Sequence, residues 1–259
     1  MSTLVAVEDV TRTFTRGGGT QRALDGVSLT IEGGSFVSLV GPSGCGKSTL
    51  LNLIAGLIAP NSGRVVHAGA VVAGPRMNVG YLTQKDTLLP WRDVLQNIAL
   101  PLEIRGVERA ERERRAAELI ERVGLGGRER AYPRELSGGM ARRASLARML
   151  IAQPDLLLLD EPFSALDAQL RLEMQNELGR LWYGTGRTVV FVTHDLDEAI
   201  VLGDRVVVLG PGGSVRRDET IALARPRDAV AVRRTPEYRA IEEHLWEALM
   251  TARAPESVA

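Results

Sequence analysis

The run GPSGCGKST, Gly41 to Thr49, has the spacing G-x-x-x-x-G-K-[ST] of a phosphate-binding loop. Glycines let backbone N–H groups wrap an anion, and the N-terminus of a following helix adds partial positive charge. Lys47 is placed to reach β- and γ-phosphates, and the Ser48 hydroxyl to bind Mg²⁺. Downstream, LLLLDEP ends an apolar run in two acids. Asp160 can hold Mg²⁺ through its water shell, and Glu161 can polarise a water for in-line attack on a γ-phosphate. A second glycine turn, Ser137-Gly138-Gly139, opens a helical stretch and is also a ready anion-binding end. One chain thus carries two phosphate-binding turns.

The elements that must position these residues can be read from hydropathy. LVAVEDVTRTF and VSLTIE alternate apolar and polar residues, as half-buried strands do, with RGGGTQ between them as a turn. FVSLVG leads into the glycine loop, and STLLNLIAGL continues from it with helical periodicity. GRVVHAGAVVAGP and NVGYLTQ read as further short strands. From about Trp91 to Ala152 the pattern is helical. The segment ERAERERRAAELIERVG presents a solvated face with Glu108–Arg112, Glu111–Arg115 and Glu118–Arg122 at i,i+4. LLLLD, TVVFVTHD and RVVVLG are apolar throughout and alternate with helices, the pattern of a parallel sheet covered on both faces. After Gly210 comes a tail with one amphipathic helix, Pro236 to Met250, whose apolar side is Tyr238, Ile241, Leu245 and Leu249.

Bulk composition narrows the function. The chain has 259 residues, 32 basic and 32 acidic, so it lacks the basic excess of a general nucleic-acid binder. Its one cysteine, Cys45, excludes an internal disulfide and reads as a tolerated small residue in the loop. The N-terminus lacks signal-peptide layout, and no apolar run approaches the ~20 residues of a membrane helix. The expectation is a cytosolic protein that meets any membrane through a partner.

With the phosphate loop, Gln84, LSGGM (Leu136 to Met140), LLLLDEP, SALD and THD in this order, residues 4–210 resemble the ATPase subunit of ABC transporters. The resemblance implies an α/β fold. A P-loop NTPase core with a mostly parallel sheet and an antiparallel β subdomain spans about 4–84 and 153–210. A helical subdomain is inserted at about 85–152, and 211–259 form the tail. It also implies two chains packed head to tail, each ATP held between the loop of one and the LSGGM turn of the other. The ATP contacts carried over are Phe14, Gly41, Pro42, Ser43, Gly44, Cys45, Gly46, Lys47, Ser48 and Thr49, with Ser137, Gly138, Gly139 and Asp167 reaching the other chain's nucleotide. Phe14 matches an aromatic that stacks on adenine, and reads equally as a strand core residue. Gln84 matches a sensor of Mg²⁺ and attacking water, and His194 a γ-phosphate contact, which with Lys47 and Glu161 complete the catalytic set. Mg²⁺ falls to Ser48, Gln84 and Asp160. His67 and His244 have no such context.

The signature departs from the LSGGMRQR and LSGGQ patterns at Met140 and Arg142. The segment Tyr81 to Gly106 with LLPW, and the tail with Arg-Pro-Arg, resemble importers of nitrate, sulfonate and taurine. That implies transmembrane permease subunits, a periplasmic or extracellular substrate-binding protein, and a peripheral position on the cytoplasmic face of the cell membrane. Leu88, Leu89 and Trp91 are expected either as an exposed apolar knob for the permease or as packing within the helical subdomain. LSGGMARR also resembles signatures of lipid-trafficking ATPases, an alternative that LLPW and the Arg-Pro-Arg tail argue against. A soluble ABC protein of another class usually carries two nucleotide domains or a long coiled-coil arm, whereas this sequence shows a single set of motifs and a helical insertion too short for such an arm.

Overall fold

The computed structural model describes residues 2–16, 19–84, 87–164 and 166–253. Two sheets carry the chain. The first is antiparallel throughout: β1 (Thr3–Arg16), β2 (Gly19–Glu32), β4 (Ser62–His67) and β5 (Ala70–Val71), in the order β2-β1-β4-β5. The expected turn RGGGTQ is narrower than predicted, since Gly19, Thr20 and Gln21 already pair in β2; Gly17 and Gly18 lie outside the described residues.

The second sheet has six strands. In chain order they are β3 (Phe36–Val40), β6 (Val79–Leu82), β7 (Leu156–Asp160), β8 (Thr188–Val192), β9 (Arg205–Leu209) and β10 (Val215–Thr220). Their spatial order is β10-β9-β3-β8-β7-β6, parallel except for β10. The all-apolar strands are explained by what covers them. Leu157 and Leu159 of β7 face one hydrophobic cluster, and Leu156 and Leu158 face another. Val189 and Phe191 of β8 divide from Val190 and Val192 in the same way. A strand buried on both faces has no polar positions to alternate with.

Helix α1 (Lys47–Ile54) packs between the two sheets through Leu50, Leu51, Leu53 and Ile54. Helices α2 (Val94–Ile104), α3 (Arg109–Arg122) and α4 (Gly138–Leu150) share the other cluster. Asp93 caps α2 by accepting from Gln96 N at 2.8 Å, in a reciprocal capping box. On α3 the pair Glu111–Arg115 forms at 2.6 Å, as the spacing predicts. The other two do not follow the prediction. Glu118 pairs with Arg114, and the Glu108 carboxylate caps α3 on Glu111 N, drawn by the unsatisfied donors of the first turn.

After α5 (Ala168–Trp182) and α6 (Leu196–Leu202), the tail folds back on its own core. It contributes β10, an edge strand with mostly exposed polar residues that gives no hydropathy signal. The last helix, α7, runs Pro236–Arg253 and so reaches beyond Met250. Tyr238, Leu245 and Leu249 bury against α6 and β9, Ile241 is half-buried, and the Tyr238 hydroxyl donates to Asp197. The Arg227 guanidinium donates to the carbonyls of Ile200 and Val201, which end α6, and burial pushes its pKa down to about 10. Residues 254–259 of the tail lie outside the described part.

Candidate functional site

The turn from β3 into α1 needs glycine at particular places. Gly44 and Gly46 adopt φ of 81° and 105°. A Cβ on Gly46 would lie 2.5 Å from Leu24 Cδ2, and one on Gly41 would lie 2.3 Å from the Leu209 carbonyl oxygen. Lys47 is almost buried and folds back over its own loop, donating to Gly41 O at 2.8 Å and Pro42 O at 2.9 Å. Cys45 is buried beneath the loop, and burial raises its thiol pKa, so it stays a neutral packing group.

At the end of β7, Asp160 is buried and accepts from Ser48 Oγ at 3.1 Å. Its pKa is raised, first by burial and then by the neighbouring Glu161 charge, against the pull of the Ser48 hydrogen bond, Lys47 and Arg142. A carboxyl shifted upward binds its proton more tightly in the fold than in the unfolded chain. Its contribution favours folding at low pH and is lost as pH rises through the folded pKa. Above the ordinary Asp range Asp160 is therefore a cost to the fold. Asp160→Asn should raise the thermal midpoint at pH 7, by about 2–4 °C per kcal/mol relieved, while ATP turnover is lost. Melting curves across pH check this: the gain should vanish below the ordinary Asp range, and an unchanged or lower midpoint at pH 7 contradicts it.

Glu161 follows with φ of 44°, a left-handed conformation rare for a residue with a side chain. Its N–H donates to Val192 O at 2.9 Å, which ties it to β8. Its carboxylate Oε2 accepts from Gln84 Nε2 at 3.3 Å and lies 3.4 Å from His194 Nδ1. His194 is aimed by a turn in which Thr193 Oγ1 donates to buried Glu198 at 2.6 Å and accepts from Asp195 N at 3.0 Å.

Lys47, Ser48, Glu161 and His194 face one open cleft of about 600 Å³, while Gly41, Pro42, Cys45 and Asp160 are not part of its lining. The loop contributes Ser43, Gly44, Gly46, Lys47, Ser48 and Thr49 to it. Gln84, Glu161 and His194 face them, and Phe14 forms the far lip. Phe14 is 38% exposed, which separates it from the strand core; the Arg12 guanidinium sits 4.8 Å from its ring centroid. Gln21 and Ala23 also line the cleft and had no sequence signal. Gln21 arrives there only because it pairs with Phe14 in the β1–β2 register.

The remaining predicted residues are not in the cleft. Ser137 caps α4 by accepting from Met140 N at 3.3 Å, and it is exposed together with Gly138. Gly139 is buried against α5: a Cβ there would lie 2.0 Å from Leu170 Cδ2. Asp167 caps that same α5, accepting from Leu170 N at 2.9 Å. Ser137-Gly138-Gly139 and Asp167 are thus neighbours of each other, outside the phosphate-loop cleft. Ala165 lies outside the described residues.

A family model described as ABC transporter matches residues 24–164. The chain belongs to the ABC transporter family. It is an ABC-type ATPase. Among its ABC transporter relatives, an uncharacterized ABC transporter ATP-binding protein of Methanocaldococcus jannaschii is 46% identical, covering 90% of this chain and 87% of that protein. A taurine import ATP-binding protein of Rhizobium johnstonii is 44% identical, covering 89% and 90%. A nitrate import ATP-binding protein of Synechococcus elongatus is 46% identical over 95% of this chain, which spans 38% of that longer protein. The dimeric structure of a post-hydrolysis ATP-binding cassette bound to ADP and Pi superposes with a TM-score of 0.78 at 34% identity, covering 85% of this chain and all of that one.

Among the described residues of this ABC transporter chain, no helix is long and apolar enough to cross a membrane. The two readings expected for Leu88, Leu89 and Trp91 divide between the residues. Trp91 is 70% exposed, but Leu88 and Leu89 are half-buried, and Leu88 packs on the helical cluster. The buried Asn97 causes this: it accepts from Leu89 N at 2.8 Å and donates to Leu89 O, which draws the loop onto α2. Lys85 and Asp86 lie outside the described residues. Beside the loop is a groove of about 300 Å³ between β6, α2 and α4, lined by Met77, Tyr81, Leu100, Pro101, Ile104 and Met149. Met77 and Ile104 are more than half exposed, and the buried Ser145 hydroxyl in its lining has no hydrogen-bond partner among the described residues. His67 is fully buried in β4, where burial lowers its pKa, and His244 lies 3.5 Å from Glu219; neither enters the cleft.

Proposed function

We propose that this chain works as a head-to-tail pair on the cytoplasmic face of the cell membrane. There it hydrolyses MgATP to drive permease subunits that import a small anion, of the taurine, sulfonate, nitrate or bicarbonate type, delivered by a periplasmic or extracellular binding protein. The division into a P-loop core with its β subdomain, a helical subdomain and a tail belongs to the same proposal.

One observation carries the paired reading: the residues fall into two separate places. Phe14 and the loop residues Ser43, Gly44, Gly46, Lys47, Ser48 and Thr49 line one cleft with Gln84, Glu161 and His194, and Asp160 is hydrogen-bonded to Ser48 beside it. Ser137, Gly138 and Asp167 are exposed together elsewhere, with Gly139 buried between α4 and α5 beside them. A second copy in C2 arrangement brings one half onto the other, so that each nucleotide is held by both chains. The exposed end of α4 then offers N–H donors and helix dipole to the γ-phosphate.

Within a site, Lys47 leaves its backbone carbonyls to neutralise the β- and γ-phosphates. Ser48 and Asp160, with Gln84, are hard oxygen donors of the kind Mg²⁺ takes, and the Ser48–Asp160 hydrogen bond already brings two of them together. When bound, Mg²⁺ neutralises charge on the β- and γ-phosphate oxygens. Glu161 accepts a proton from, and orients, the attacking water, with Gln84 and His194 fixing its carboxylate. Phe14 offers a ring face to adenine.

The groove beside the Gln84 loop supports a permease partner. It is open and mostly apolar, with Arg76, Arg105 and Arg148 also in its lining, and it shares β6 with the segment that leads to Gln84, which suits an amphipathic helix of a membrane subunit. The relatives of taurine, nitrate and bicarbonate systems support a small anion as cargo. Uptake of labelled taurine, nitrate and bicarbonate by cells lacking the gene tests this. Uptake of one of them should fall and return with the wild-type chain but not with Glu161→Gln. Ile104→Glu should lower that uptake by about tenfold or more, as loss of an interface anchor does, with ATP binding by the isolated chain unchanged. Uptake of all three at wild-type rates would contradict the cargo reading. Full uptake with Ile104→Glu would remove the groove from the contact.

A further inference from the structure

Arg142 lies in the second turn of α4, where the signature departs from its usual pattern, and only 6% of it is exposed. A buried guanidinium is costly unless its donors are used. Here Nε donates to Pro162 O at 2.7 Å and Nη1 donates to Thr83 O at 2.7 Å. Pro162 directly follows Glu161, and Thr83 directly precedes Gln84. Gln84 Nε2 in turn donates to Glu161 Oε2 at 3.3 Å. The contacts close a ring through three segments far apart in sequence: α4, the end of β6 and the end of β7.

The ring bears on a strained backbone position in the cleft. Glu161 holds φ of 44°, and such a conformation persists only where the surroundings over-determine it. Val192 O fixes it from the N–H side, and Arg142 fixes the next carbonyl. Arg142 does not line the cleft, so it acts through other residues.

We propose that Arg142 is a positioning residue: its guanidinium fork holds Gln84 and Glu161 in register and couples them to α4, whose first turn is Ser137-Gly138-Gly139. This rests on the reading that Glu161 orients the attacking water. A helix displaced by a partner's nucleotide at its first turn then pulls on both backbones flanking the hydrolytic pair. The fork matters because two separate nitrogens reach two separate carbonyls. Lysine keeps the charge but ends in a single nitrogen.

The test measures kcat, KM and nucleotide affinity for Arg142→Gln and Arg142→Lys, each in the wild-type and Glu161→Gln backgrounds. Arg142→Gln should lower kcat by about 10- to 100-fold, the scale of a small misplacement of catalytic groups. KM and nucleotide affinity should stay within about threefold, because the phosphate loop is not touched. Arg142→Lys should recover part of the loss. In the Glu161→Gln background the Arg142 substitutions should change the residual rate by less than about twofold, since residues acting as a unit are not additive. Preserved nucleotide affinity reports that the variants are folded. A kcat within twofold of wild type for Arg142→Gln overturns the proposal. So do losses of kcat and affinity that are equal in both backgrounds, which mark a role in stability alone. A wild-type rate for Glu161→Gln by itself overturns the underlying reading of Glu161, and that result needs no Arg142 variant.

Discussion

Glu161→Gln is expected to bind MgATP with near wild-type affinity and to lower kcat by about 10²–10⁴-fold, the usual contribution of a positioned base. The cleft explains why the effect is confined to turnover. Glu161 touches Gln84 and His194 rather than the phosphate loop, so removing its charge leaves Lys47 and the loop N–H groups as they were. The amide keeps the shape and still accepts from Gln84, but it no longer takes a proton. Steady-state turnover beside equilibrium nucleotide binding checks this. Wild-type turnover would exclude Glu161 as the base; affinity falling with kcat would place it in ground-state binding instead.

Lys47→Ala is expected to act at the earlier step. Each hydrogen bond to a charged group is worth about 1.5–3 kcal/mol, so losing the ammonium should weaken nucleotide binding by at least about 10- to 100-fold. The ammonium now sits on Gly41 O and Pro42 O, the carbonyls of the loop itself. On the proposed reading it exchanges those partners for phosphate oxygens without leaving the loop. Titration with ATP or a fluorescent analogue measures the loss, and unchanged affinity would sink the assignment of Gly41 to Thr49 as the phosphate cradle.

The parts of the site that sequence could reveal are those fixed by local chemistry. Gly44 and Gly46 need left-handed backbone, Lys47 and Ser48 follow at the first turn of α1, and Asp160 ends a strand that is apolar because both its faces are covered. Residues placed by long-range pairing gave no such sign. Gln21 reaches the cleft through the β1–β2 register, and β10 is an edge strand of polar residues that pairs with β9. Leu88 and Leu89 read either as a surface knob or as subdomain packing, and what decides is buried Asn97, which holds their loop down through backbone hydrogen bonds that composition does not encode. Arg142 was visible as a departure from a pattern. What it holds depends on where the ends of β6 and β7 meet α4.

The central claim is that two chains share each nucleotide. The most direct measurement is the solution mass of Glu161→Gln with and without MgATP, repeated with Ser137→Arg added. The account predicts a monomer without nucleotide, a dimer with MgATP, and loss of that dimer when Ser137 is replaced, because Ser137 acts on the partner's nucleotide. A chain that stays monomeric with MgATP even alongside its membrane subunits would contradict it, as would a dimer indifferent to both nucleotide and Ser137.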